Sequence, residues 1–204
     1  MLDTPLIFVD IDTQRDFLEP SGALFVPGSG AIRANLARLT AFAKRRGIPV
    51  LATACAHTLD EIDPEPFPPH CLIGTPGQER IAETAWEGGT VLPPGRAFEE
   101  EGEIPPHLTV EKTRYDVFSR PDADSLVRRY GRGNPTFVVY GVATDYCVRA
   151  AVLGLLARGR KVAVVVDAVR AIDQAGEPEQ FREFVAGGAM LTITEVVTTE
   201  GSPG

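Results

Sequence analysis

Cysteine is scarce in this chain of 204 residues. The three present, Cys55, Cys71 and Cys147, are odd in number and irregularly spaced, which argues against a disulfide framework and leaves packing, metal ligation or nucleophilic chemistry as their uses. Basic residues are also in deficit. Twenty Lys and Arg face 28 Asp and Glu, and the formal net charge is -8. No nucleic acid and no anionic membrane surface is expected as a partner, because both need clustered cations, and a small ligand is expected instead. No stretch of 18 apolar residues runs without a charge, so no transmembrane helix is expected. The opening MLDTPLIFVDID lacks the basic start and unbroken apolar run of a signal peptide, and a soluble, cytoplasmic chain is the expectation. A dinucleotide fingerprint is missing too. Gly28-Ser29-Gly30 imitates its start, but Arg33 fills the third glycine slot and a loop precedes it.

What is present is ordinary globular material, 44% hydrophobic and 24% charged, of a length that suits one domain over residues 1–204. Folding at this size buries roughly 70% of the unfolded surface, so the core needs no staple. Short apolar runs alternate with amphipathic stretches, the pattern of an α/β protein with a parallel sheet covered by helices. Strand-like runs fall at Pro5 to Ile11, Pro49 to Ala54, Thr90 to Leu92, Leu108 to Val110, Thr136 to Tyr140, Lys161 to Val169 and Met190 to Val196. Helical spacing joins Ile32, Leu36, Leu39, Phe42 and Ala43 ahead of Gly47, then Val148, Ala151, Val152, Leu155 and Leu156 ahead of Gly159, and recurs from Pro178 to Ala186. Between Cys55 and Gly77 lies an acidic, proline-rich loop of about twenty residues, and loops that long are usually functional.

In a doubly wound sheet, ligands bind at the carboxyl ends of the strands, so polar residues just after strands carry the candidate chemistry. Asp12 and Asp16 follow the first strand, Cys55 and His57 the second, Lys112 the Leu108 run and Cys147 the Thr136 run. Cys147 would sit at a helix N-terminus, where the macrodipole favours thiolate. Lys112 would push the same way, and Asp12 would take a proton. Each has a plainer reading: a core cysteine, a solvated lysine, a capping acid. Asp16 leans to the cap, and His107, after two prolines, reads as surface loop. Cys55, His57 and His70, with Asp60, Glu61 and Asp63 nearby, are residue types that bind a first-row transition metal, although the spacing matches no zinc pattern. Phe17 and Phe67 suit either a core or the walls of a slot for a flat ring.

The segments IFVDIDTQRDFLEPSGAL, ATACAH, FPPHCLIGTPGQE, TVEKTRYDVFS and GVATDYCVRAAVLGLLARG, in that order from about Leu6 to Val169, resemble the nicotinamidase branch of the isochorismatase-like cysteine hydrolases. The resemblance implies a six-stranded parallel sheet with helices on both faces, and homo-oligomers. It makes Asp12 the general base, Lys112 the stabilising cation and Cys147 the nucleophile. It also implies a cis peptide between Val142 and Ala143 that aims the N–H groups of Ala143 and Cys147 at an oxyanion, and it puts Phe17 and Phe67 beside the substrate ring. A divalent ion, zinc first, would be held by His57 and His70. There the sequence departs from the pattern, since Cys55 replaces the family's Asp and Asp63 its third His.

The function this implies is hydrolysis of a small primary amide, nicotinamide-like, through a Cys147 thioester. A metal-independent relative that cleaves a carbamoyl or ureido amide is the alternative within enzymes, and a catalytically silent small-molecule binding protein is the alternative outside them. Isochorismate vinyl-ether hydrolysis fits less well, because members with that activity lack the cysteine.

Overall fold

All seven apolar runs become strands, because β-branched and other apolar side chains suit a pleated sheet. They are β1 (Leu6–Ile11), β2 (Val50–Cys55), β3 (Thr90–Leu92), β4 (His107–Lys112), β5 (Thr136–Val142), β6 (Lys161–Arg170) and β7 (Met190–Thr192). The computed structural model describes residues 4–60, 67–99 and 101–199. Every pairing is parallel, in the order β3-β4-β2-β1-β5-β6-β7. The sheet thus has seven strands, not the expected six. The three-residue strands β3 and β7 extend it on the outer sides of β4 and β6. The last run is also shorter than expected. Asp167 Oδ1 accepts both the N–H and the hydroxyl of Thr194, at 2.8 and 2.9 Å, and the chain turns there into a helix instead of continuing to Val196.

Among the described residues there are six α-helices, in chain order α1 (Arg15–Leu18), α2 (Arg33–Arg46), α3 (Ala123–Tyr130), α4 (Arg149–Ala157), α5 (Glu177–Ala186) and α6 (Thr194–Thr198), of which α2, α4 and α5 were expected from helical spacing. Strand alternation divides them between two faces. Ile7, Val9 and Ile11 of β1 pack with Leu126 and Tyr130 of α3, Val152 and Leu155 of α4, and Phe184 of α5. Phe8 points the other way, into a cluster with Leu36, Leu39 and Phe42 of α2 and Val197 of α6. Burial of a leucine such as Leu36 contributes about 1.5–3 kcal/mol, and Leu36→Ala would cost about 2–5 kcal/mol. Helix α2 ends where the sequence indicates, at Gly47 in the left-handed region (φ 62°).

Strand β1 is central. The chain leaves it for β2 on one side and, after β4, returns to β5 on the other, so the order reverses at β1 and β5 and opens a crevice at their carboxyl ends. Register brings four strand ends level there. Ile11 pairs with Thr53 on one side and Gly141 on the other, and Cys55 pairs with Lys112. At Gly141 (φ 116°) β5 breaks register with β6, and a Cβ would collide with the Ile11 carbonyl oxygen, so only glycine lets β5 lie this close to β1. Beyond it the Val142–Ala143 peptide is cis, as the resemblance implied. Residues Thr144–Val148 then form a wide turn, with Val148 N–H donating to Ala143 O at 3.0 Å, that leads into α4.

Candidate active site

The reversal of strand order gathers Asp12, Lys112 and Cys147 from three strand ends. Lys112 Nζ lies 2.8 Å from Asp12 Oδ2 and 3.7 Å from Cys147 Sγ, and all three residues are buried. Lys112 is only 1% exposed, so its reading as a solvated charge fails. A buried lysine needs partners to repay its lost hydration, and the carboxylate and sulfurs around it are those partners. Asp12 occupies the left-handed region (φ 48°), at a cost on the order of 1 kcal/mol for a non-glycine residue. Two groups hold it there. Thr53 Oγ1 donates to its Oδ1 at 2.6 Å, and its own N–H donates to Thr53 O at 3.2 Å.

Cys55, which the sequence places at the same sheet edge but assigns to a metal, also belongs to this cluster. Its Sγ accepts from Lys112 Nζ at 3.1 Å and lies 3.8 Å from Asp12 Oδ2, while the ligand atoms of Asp12, Cys55 and Cys147 all fall within 4.8 Å of one another. One ammonium therefore faces two sulfurs, and its field acts more strongly on the nearer. A hydrogen bond from Cys147 and the Lys112 charge hold the Cys55 thiol well below its ordinary range, against the effect of burial. The same hydrogen bond, with burial, pushes the Cys147 thiol well above it. These directions run against the preformed thiolate expected at Cys147: charge on sulfur is favoured at Cys55, which lies nearer the ammonium. Burial and the Cys55 charge raise the Asp12 carboxyl, which accepts a hydrogen bond from Cys147 and is the more basic for that shift. Burial alone would lower the Lys112 ammonium, but Asp12 and both sulfurs raise it well above its usual value.

Cys55, His57 and His70 offer ligand atoms that lie within 4.8 Å of one another, and all three residues are buried. Both ring nitrogens of His57 are buried without a hydrogen-bond partner. A buried polar group in that state is unusual and suits an ion. Pro68 O sits 2.9 Å from His70 Nδ1, which leaves Nε2 for a metal and fixes the ring. Among the described residues, one sulfur and two imidazoles make a donor set that suits zinc. Asp63, the fourth expected ligand, lies outside the described residues, as does Glu61.

Phe17 and Phe67 line one pocket with Cys55, His57, His70 and Cys147. Phe17 is 5.3 Å from the His70 ring and Phe67 is 5.0 Å, edge to face, from Tyr146. Tyr146, Tyr115, Leu24 and Ile172 complete the wall and were not singled out from the sequence. Tyr146 could have been, since it directly precedes Cys147. Gln14 was missed as well. Fully buried, it donates to Cys55 O at 2.8 Å and accepts from Cys55 N at 2.7 Å, clamping the backbone that carries the sulfur. Asp16 is a structural tie between segments, not the cap expected of it, since it lies inside α1. Its carboxylate accepts from Cys71 N at 2.6 Å and Ala23 N at 3.0 Å. His107 is not a surface loop residue. It opens β4, is 3% exposed and stacks on Trp86 at 5.0 Å, because the strand begins one residue earlier than the apolar run suggests.

A doubly wound parallel sheet with a buried acid, lysine and cysteine at its switch point defines the class of this protein. The isochorismatase domain family matches residues 6–196, and the chain belongs to that family. It is 30% identical to the uncharacterised isochorismatase family protein PncA of Bacillus subtilis over 85% of this chain and 91% of the relative. Against the nicotinamidase of Escherichia coli it is 28% identical, over 97% of this chain and 99% of that one. Among solved structures, the pyrazinamidase of Pyrococcus horikoshii in complex with zinc superposes with a TM-score of 0.74 at 27% identity, over 93% of this chain and 99% of that one. The N-carbamoylsarcosine amidase of Thermoplasma acidophilum shares the fold, with a TM-score of 0.74 at 22% identity over 98% and 100% of the two chains. Among the described residues no helix is long and apolar enough to cross a membrane.

Proposed function

We propose that this chain is a cysteine amidohydrolase that cleaves a small primary amide with a flat, nicotinamide-like acyl group. The observation that carries this reading is the buried contact of Asp12, Lys112 and Cys147 at the floor of a pocket walled by Phe17, Phe67 and Tyr146. The aromatic walls take the ring. The amide carbonyl then rests over Cys147 Sγ, with its oxygen toward the backbone N–H groups of Ala143 and Cys147, which stabilise the oxyanion as it forms. As sulfur attacks, Asp12 accepts the thiol proton, the step that its raised pKa favours. The proton passes to the departing nitrogen and ammonia leaves. Water, deprotonated by the same carboxylate, opens the thioester and returns the proton to sulfur as the acid departs. Lys112 stays charged throughout and holds Asp12 in place.

Cys55, His57 and His70 are the residues that would hold zinc, which when bound supplies a Lewis acid to orient the ring nitrogen of the substrate. Ligation of Cys55 would also neutralise the sulfur that competes with Cys147 for Lys112. The test is ammonia release from nicotinamide and from small carbamoyl amides, with added zinc and with chelator. Zinc-dependent release from nicotinamide supports the reading. Full activity on a carbamoyl or ureido substrate in chelator would instead establish the metal-independent alternative. A silent binding protein would release no ammonia from either, and three mutually bonded ionisable groups in its pocket would have no use.

A further inference from the structure

We propose that Cys55 and Cys147 form an oxidant-sensitive dithiol, which a hydroperoxide converts to an intramolecular disulfide that caps the nucleophile. Three observations support it. The two sulfurs lie within 4.8 Å of each other, both line the same pocket, and Lys112 Nζ contacts both, at 3.1 and 3.7 Å. Side-chain rotation must close the gap to the ~2.05 Å bond of a disulfide. Among the described residues neither sulfur bonds a backbone acceptor, and both instead contact side chains. Cys71, by contrast, directs its sulfur at Gly77 O at 3.9 Å and belongs to neither cluster of ligand atoms.

The chemistry closes without a further reactant. One cysteine thiolate attacks the peroxide O–O bond, forming a sulfenic acid and releasing an alcohol, or water when the oxidant is hydrogen peroxide. The second thiol then attacks the sulfenic sulfur, the S–S bond forms and water leaves. Two thiols are oxidised by two electrons in total, and the peroxide is reduced. Because the position next to the nucleophile carries sulfur, Cys147 reaches a reversible disulfide before it can proceed to sulfinic or sulfonic acid.

Formation of the bond does not depend on the amidase reading; only its effect on turnover does. The experiment treats the purified full chain, in chelator, with hydrogen peroxide, and maps peptides by mass spectrometry without reduction. A Cys55–Cys147 cross-linked peptide, with Cys71 free and both thiols restored by a phosphine reductant, is the expected result. Cys71→Ser should give the same cross-link, and Cys55→Ser should instead carry sulfinic or sulfonic acid on Cys147 that the reductant does not reverse. Over-oxidised Cys147 in the wild-type protein, or a disulfide that includes Cys71, would overturn the proposal. The wild-type result alone decides it, so a variant that fails to fold leaves it testable. The cross-link without any amidase activity would leave this proposal standing and count against the function above.

Discussion

Two histidines at opposite ends of the same sheet share a description and differ in use. His57 and His107 are both buried, 2% and 3% exposed, and both have two ring nitrogens without hydrogen-bond partners. His57 lies at the carboxyl edge, 4.7 Å from the His70 ring and beside the Cys55 sulfur. His107 lies at the amino edge, flat against Trp86, with Lys44 and Arg80 as its charged neighbours. Burial with those cations drives its pKa down to about 3, so it is neutral at physiological pH and packs as an aromatic. An orphaned imidazole is therefore no ligand by itself. The sulfur and second imidazole nearby make His57 a candidate ligand, whereas the two cations beside His107 disfavour a metal ion there.

The comparison separates chemistry from stability, and the largest expected effect is at the carboxyl edge. Cys147→Ala should abolish ammonia release while leaving thermal unfolding nearly unchanged. Retained turnover would remove the edge's assigned role altogether. Asp12→Asn and Lys112→Ala should each slow acylation by at least ~100-fold, the scale of a lost general base or its partner. Asp16→Asn should cost much less in rate and ~1–3 kcal/mol in stability, because its bonds to Cys71 N and Ala23 N are structural. A severe rate loss at Asp16 beside a mild one at Asp12 would mean the base is assigned to the wrong carboxylate.

The histidines themselves give the next pair. His57→Ala should lose zinc by elemental analysis after zinc loading, and His107→Ala should keep it. Equal loss in both would erase the distinction drawn above.

The smallest effects are in pH dependence. His107 has a folded pKa of about 3 against 6.5, so between those values the unfolded chain binds the extra proton. Its contribution, on the order of a few kcal/mol, is present above pH 6.5 and lost as pH falls toward 3. His107→Phe, which keeps a ring on Trp86, should narrow the difference in urea stability between neutral and mildly acid pH. In the rate profile, the raised Asp12 carboxyl should place the acid limb above the ordinary carboxylate range. An acid limb at the usual carboxylate value would mean that the base is not buried.

How much of this could be read from sequence depended on whether one segment carried the signal. The strands were legible because each is a continuous apolar run, and Asp12, Lys112 and Cys147 because each follows one. Helix α3 was missed, since Leu126, Val127 and Tyr130 give only a brief apolar stripe among arginines. His107 was misread because the prolines before it look like a loop, while its burial comes from pairing with Val50 and from Trp86 far upstream. The place of Cys55 beside Lys112 is a matter of sheet register, which no local pattern encodes. For the same reason the sequence suggested a thiolate at Cys147, and only the juxtaposition of two sulfurs with one ammonium brings Cys55 into competition for that charge.

The account rests on a covalent intermediate at Cys147. Rapid acid quench of the protein with nicotinamide or a carbamoyl amide, followed by peptide mass mapping, tests it most directly. An acyl group on Cys147 that is absent from Cys55 and Cys71, and that forms no faster than ammonia is released, is the predicted result. Ammonia release with no acyl adduct at any time point, or an adduct on Cys55 in its place, would contradict it.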